Sequence, residues 1–238
     1  MGHCLLFNLL LYDNKMARHK AKSQQLKRNV PKREPYDRVL IVCEGEKTEP
    51  YYFNYLKNKY KLSTANIEIT GESSSSPNRV VEYAKDLVKE AIKNKNPFDK
   101  VFCVFDKDKH EKYNDAIIEL ETLSKRNLSL KNPTSWKDAL INSVPCFEYW
   151  YLLHFEYTTQ PFTTFEGKGG SSEEVIERLK KHIPNYEKSN EGIFILLATE
   201  DIAIKNSKKA LEEAEKNQTD NPSTKVHILV EYLKSIKK

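Results

Sequence analysis

Apolar and polar residues alternate along the chain in blocks that predict strands followed by helices. Residues 39–43 and 101–105 are continuous apolar runs, a pattern typical of strands that are buried on both faces. Each run is followed by apolar residues at helical spacing, beginning at Thr48 and at Asp115. The other elements predicted in this part of the chain are strands at 67–70 and 138–142, and helices from Pro77 and over 145–155. Strands alternating with helices predict an α/β fold, with a mostly parallel sheet flanked by helices.

The pattern changes after residue 158. Helical spacing then predicts helices near 172–182, 199–217 and 224–236, and only a weak strand candidate at 193–197. We therefore predict three parts: a flexible basic arm at 1–35, an α/β core at 36–158, and a mainly helical region at 159–238 packed on the core. Within the arm, we expect residues 1–15 to come from an upstream start codon and to be dispensable.

Basic residues are concentrated near the N-terminus. The net charge of the chain is +5, yet residues 15–38 contain nine Lys or Arg and two acids, so this segment carries +7 and the rest −2. A basic arm on a near-neutral body favours binding to phosphates, with Arg28, Lys32 and Arg33 as candidate nucleic-acid contacts. A solvated arm without a partner is the alternative interpretation.

Cysteine usage and the N-terminal apolar run indicate the cellular setting. The four cysteines form no Cys-x-x-Cys pair, which argues against both a zinc site and a disulfide framework. We therefore expect a reducing, cytoplasmic environment. Residues 4–12 are apolar, but the run is too short to cross a bilayer and lacks the features of a secretory signal, so no membrane association is predicted.

Acidic residues follow the two most apolar predicted strands. Glu44 comes directly after the first, and Asp106 and Asp108 come directly after the other. Because the carboxyl ends of parallel strands lie at one edge of a sheet, the three carboxylates are expected to converge there if the two strands are neighbours. Their mutual repulsion favours a divalent cation, and oxygen-only ligands favour Mg²⁺ or Mn²⁺. The predicted chemistry is phosphodiester cleavage or another phosphoryl transfer, although acids in such positions also serve as turn formers and helix caps.

Three segments resemble a known family. They are VLIVCEGEKTEP at 39–50, FCVFDKD at 102–108 with His110 two residues later, and PCFEYWYLLHF at 145–155. In this order they resemble the RloB family, and the resemblance extends over roughly residues 25–237. It implies a TOPRIM-like fold in which Glu44, Asp106 and Asp108 bind Mg²⁺. Two positions depart from the family pattern: Lys109 stands where many members have an acid, and Val144 stands where Asn is usual.

The resemblance also implies a cellular role. RloB-family proteins are typically encoded beside an AAA-type ATPase in restriction-linked or abortive-infection defence loci. We therefore expect a metal-dependent nuclease acting on RNA (tRNA included) or DNA as the effector of phage defence. A non-catalytic adaptor that binds nucleic acid or the ATPase is the main alternative, and a nucleotidyl transferase is a third. The sequence has no Walker-type phosphate loop, so ATP dependence would come from the partner; a homodimer stays an open alternative.

Other polar residues near these motifs have two interpretations. Lys47 and Lys107 are candidate phosphate contacts, or ordinary exposed lysines. Glu148 and His154 lie in the aromatic third motif, where buried polar groups need partners. They are candidates for catalysis beside the metal, with His154 as an acid or base, or for a purely structural hydrogen bond. Glu46 and Glu49 are candidates for assisting a second metal or acting as bases, or for capping the helix that begins at Thr48, and capping is favoured for Glu49.

Overall fold

A five-stranded sheet lies at the centre of the fold. This computed structural model describes residues 37–62, 67–73, 76–107, 110–129, 134–163, 170–188 and 200–236. The strands are β1 (Val39–Cys43), β2 (Ile67–Thr70), β3 (Lys100–Asp106), β4 (Leu140–Val144) and β5 (Ser223–Thr224). Their order across the sheet is β2-β1-β3-β4-β5; the first four run parallel, and β5 pairs with β4 in the antiparallel direction.

Helices cover both faces of this sheet. They are α1 (Thr48–Lys59), α2 (Pro77–Lys93), α3 (Tyr113–Ser129), α4 (Glu148–Leu152), α5 (Ser171–Lys180), α6 (Glu200–Lys216) and α7 (Val226–Ile236). Helices α1 and α7 contribute to the apolar core on one face, whereas α2 and α3 contribute to the core on the other. None of the helices in the described part of the chain combines the length and the apolar character needed to cross a membrane.

Strand β1 shows why the apolar runs predict buried strands. Val39, Ile41 and Cys43 belong to the core on the α1 side of the sheet, and Leu40 and Val42 belong to the core on the α2 side. All five residues are fully buried. A strand whose two faces are both covered must be apolar at every position, which explains the continuous pattern.

The predicted α/β fold is confirmed, with shifts at several elements. Strand β4 lies two residues further along the chain than the predicted strand at 138–142, and the helix predicted over 145–155 is confined to α4. The three predicted C-terminal helices are present, each within two residues of its expected bounds. The sequence did not predict β5, which adds a strand from this region to the sheet. The basic arm and the strand candidate at 193–197 lie outside the described residues.

Candidate metal and nucleic-acid site

A cleft of about 920 Å³ opens where β1 and β3 end. These strands are neighbours, and the pairing of Cys43 with Val104 brings their carboxyl ends to the same edge of the sheet. Glu44 and Asp106 both line the cleft. The backbone N–H of Asp106 donates to Glu44 Oε2 at 3.1 Å, so the two predicted acids are in direct contact.

Asp106 lies in an unfavourable environment for a carboxylate. Burial raises its pKa well above the ordinary value, and the nearby Glu49, Glu148 and Glu44 raise the pKa further, while a hydrogen bond from the Phe147 backbone opposes them. The Asp106 Oδ1 atom is buried and has no hydrogen-bond partner among the described residues. A buried acceptor without a partner, surrounded by other acids, is the arrangement that a bound cation would stabilise.

Glu49, for which the sequence favours helix capping over a role as a base or at a second metal, belongs to the acid group of the cleft. Its side chain is only 5% exposed. Burial is the main reason that its pKa rises to about 7; the Glu148 and Glu44 carboxylates also raise it, while a hydrogen bond from its own backbone amide lowers it. A Cβ on Gly45 would collide with the Glu49 carboxylate, so glycine leaves the space that this carboxylate occupies. Glu49 therefore interacts both with its helix terminus and with the acids of the cleft.

Glu148 enters the cleft from the first turn of α4 and is 1% exposed. Its Oε1 atom accepts a hydrogen bond from the Tyr186 hydroxyl at 2.9 Å and lies 3.4 Å from Lys188 Nζ. Sequence reasoning identified Glu148 but neither of these partners. Both follow α5 in the C-terminal region, where the local pattern carries no sign of a functional site.

The two histidines of the motifs occupy different environments. His110 lines the cleft, and its Nε2 atom lies 3.0 Å from Glu44 Oε1. His154 does not line the cleft; its ring packs edge-on against Trp150, with centroids 5.2 Å apart. Burial, followed by the charge of Lys59, lowers the pKa of His154 to about 3, which keeps the ring neutral at physiological pH. The structure places His154 against Trp150 and outside the lining of the cleft, and its role as an acid or base stays a prediction.

The candidate phosphate contacts also differ in position. Lys47 is exposed and lines the cleft. Lys107 does not line it and forms an ion pair with Asp220 at 2.6 Å. The remaining predicted site residues, Asp108, Arg28, Lys32 and Arg33, lie outside the described residues.

The loop between β1 and α1 is shaped by a close backbone contact. A Cβ on Gly71 would come within 2.8 Å of Glu46 Cα and would also meet the carbonyl oxygen of Gly45. The Ser73 hydroxyl, close after this glycine, donates to the Cys43 carbonyl oxygen at 2.8 Å. These contacts from the segment after β2 fix the path of the chain that carries Glu44.

The donor set fits a hard divalent cation. Within the described ranges, no three Asp, Glu, His or Cys side chains converge as a complete metal site. Mg²⁺ does not require one, because it usually keeps several waters and binds one or two carboxylates. Asp106, with its unpaired buried oxygen, and the adjacent Glu44 supply such carboxylates. Oxygen ligands favour Mg²⁺ or Mn²⁺ over softer metals.

Comparison with protein families identifies the family of the chain. The family model described as RloB-like protein matches residues 39–233. The matched range includes every cleft residue described above, together with all five strands. Neither a curated protein nor a solved structure matches the chain.

Proposed function

The chain belongs to the RloB-like family, and from this premise we propose that it is a TOPRIM-type nuclease that hydrolyses phosphodiester bonds in RNA or DNA with Mg²⁺ or Mn²⁺. The observation that carries the proposal is the buried, unpaired Oδ1 of Asp106 among three further carboxylates at the carboxyl edge of a parallel sheet. Enzymes with open α/β sheets place their sites at this edge.

In this proposal Glu44 and Asp106 hold the cation, and Asp108 joins them as predicted from the sequence. The bound cation would polarise a phosphoryl oxygen and neutralise developing negative charge. The Asp106 amide and the His110 ring each contact one oxygen of Glu44, which fixes the orientation of this carboxylate. Such contacts hold a ligand in position before the cation and substrate arrive.

Glu49 is the proposed proton acceptor. In the metal-free cleft, burial and the neighbouring Glu148 and Glu44 carboxylates raise the pKa of its carboxyl group to about 7. A bound cation would offset those charges and favour the deprotonated form, which is the form that accepts a proton. It lies at the cleft beside the acids that would hold the cation. We therefore assign Glu49 the proton that the attacking water loses.

We further propose that the nuclease is the effector of a phage-defence system and acts with an AAA-type ATPase. Family membership and the three sequence motifs support this role. The basic arm, with Arg28, Lys32 and Arg33, is suited to non-specific attraction of nucleic acid. Any ATP-dependent step would then belong to the partner.

A cleavage assay tests the proposal. The purified protein is incubated with labelled tRNA, single-stranded RNA or plasmid DNA in Mg²⁺, Mn²⁺ or EDTA, with and without the neighbouring ATPase. We expect metal-dependent cutting that is lost in Glu44→Gln and Asp106→Asn but retained in Glu90→Gln, which removes an exposed acid from α2. If folded protein binds nucleic acid or the ATPase but never cuts, the chain is a non-catalytic adaptor instead.

A further inference from the structure

Lys188 brings a positive charge from the C-terminal region to the acidic cleft. Its side chain lines the cleft and is 60% exposed, with Nζ 3.4 Å from Glu148 Oε1. Its backbone is held in place because the Thr48 hydroxyl donates to the Lys188 carbonyl oxygen at 3.2 Å. A lysine with an anchored backbone and a largely exposed side chain can reach a ligand in the cleft.

The acids of the cleft create a problem for the proposed substrate. Glu44, Glu49, Asp106 and Glu148 all line the space that a phosphodiester would have to enter. A nucleic acid is itself an anion, so it enters more readily where cations offset these charges. A divalent cation supplies part of that charge, and an adjacent ammonium group would supply more.

The contact between Lys188 and Glu148 leaves the ammonium group available. Charge-assisted N–H···O bonds are normally about 2.7–2.9 Å long, and an ammonium group has three donors. The observed separation of 3.4 Å is longer than this. Glu148 Oε1 also accepts the Tyr186 hydroxyl at 2.9 Å, so it keeps a hydrogen bond if the lysine turns away.

We propose that Lys188 binds the phosphate next to the scissile bond and is a catalytic residue of this nuclease. The inference rests on the proposed function and adds to it a contact supplied by the C-terminal region. On substrate binding the ammonium group moves from Glu148 to a non-bridging phosphate oxygen, while Tyr186 keeps Glu148 in place. No bond is made or broken by Lys188; it supplies positive charge as the phosphate becomes more negative.

The alternative is that Lys188 is only a counter-ion for Glu148. Because Glu148 is buried, a variant that lacks the counter-ion would leave its charge less compensated, and thermal unfolding would register that loss. A neutral residue at position 188 would therefore have different effects under the two roles. A phosphate contact affects substrate binding and its salt dependence, whereas a counter-ion affects the acid group alone.

The test uses Lys188→Met, with Lys188→Arg to restore the charge and Lys181→Met as the matched control. Lys181 is an exposed lysine at the end of α5 that does not line the cleft. Binding of the nucleic acid that the enzyme cleaves is measured in EDTA at several NaCl concentrations, and single-turnover cleavage is measured in Mg²⁺. Thermal unfolding of each variant verifies that it is folded.

For Lys188→Met we expect the slope of log K against log salt to fall by about 0.7 for a single strand or 0.9 for a duplex. We expect cleavage to slow about tenfold to a hundredfold, the usual effect of losing a hydrogen bond to a charged group. Lys188→Arg should recover most of both effects, and Lys181→Met should match the wild type.

The outcomes separate this inference from the proposed function. If Lys188→Met binds and cleaves as the wild type does, the inference is overturned while the nuclease stands. If Lys188→Met is slow but keeps the wild-type salt slope, Lys188 does not contact phosphate and is a counter-ion. If the wild type neither binds nor cleaves any nucleic acid, the proposed function fails and the inference fails with it.

Discussion

Replacing Glu49 with Gln would measure the cost of burying a carboxylate in the acidic cleft. Glu49 is buried beside Glu44 and Glu148, and burial is the largest cause of the rise in its pKa from 4.5 to about 7. Glutamine has nearly the same shape but carries no charge. The substitution therefore removes the electrostatic cost and leaves the packing nearly unchanged.

The sign and size of the effect follow from this pKa. Because the folded-state pKa of Glu49 is raised, the stability that the protonated group provides is complete below about pH 4.5 and is lost as the pH rises through about 7. A rise from 4.5 to about 7 corresponds to about 3 kcal/mol at most. We expect metal-free Glu49→Gln to be more stable than the wild type by up to this amount at pH 8, with little of the difference present at pH 5.

The assay is urea unfolding in EDTA at pH 5 and pH 8. Glu90→Gln, which removes an exposed acid from α2, controls for the change in net charge. The same pair of measurements in Mn²⁺ should show a smaller difference, because a cation relieves the repulsion that Gln relieves. Equal pH dependence of wild type and Glu49→Gln in EDTA would refute the electrostatic description of the cleft.

Three further substitutions probe separate features. Gly71→Ala should displace the backbone at Gly45 and Glu46. We expect the free energy of unfolding in urea to fall by about 1–3 kcal/mol and metal-dependent cleavage to decrease. Wild-type stability and cleavage would contradict the close contact. Burial lowers the pKa of His154 from 6.5 to about 3, so its stability contribution is lost as the pH falls below 6.5. His154→Leu should thus lose less stability than the wild type between pH 7 and pH 4 in unfolding measurements, and it should cleave within about twofold of wild type. A large loss of cleavage would support a catalytic role for His154 instead. Trp150→Ala should lower the free energy of unfolding in urea by about 3–5 kcal/mol, because the Trp150 side chain is fully buried. A decrease below about 1 kcal/mol would contradict this packing.

The central strands and the position of Glu44 and Asp106 at one edge of the sheet could be predicted because local pattern determines both. Strands covered on both faces must be apolar throughout, and acids that follow parallel strands must meet at one edge. By contrast, β5 consists of Ser223 and Thr224, which form no apolar pattern. Their pairing with β4 depends on how the C-terminal helices pack, which local sequence does not encode.

The remaining site residues could not be predicted for related reasons. Glu49 occupies the first turn of a helix, where a local rule favours capping, and only tertiary packing shows that its carboxylate is buried among other acids. Tyr186 and Lys188 reach Glu148 from about forty residues further along the chain. His154 and Glu148 are equivalent in sequence terms, since both are polar residues in one aromatic segment. Only the fold places Glu148 in the cleft and His154 against Trp150.

A crystal structure of the protein grown with Mn²⁺ would show directly whether the cleft binds a divalent cation. Anomalous scattering locates Mn²⁺ without reference to the protein coordinates. We predict a peak within coordination distance of Asp106 Oδ1 and next to Glu44, absent in crystals of Asp106→Asn. A cleft without a peak at saturating Mn²⁺, or a peak bound elsewhere on the protein, would contradict the metal site on which the nuclease proposal depends.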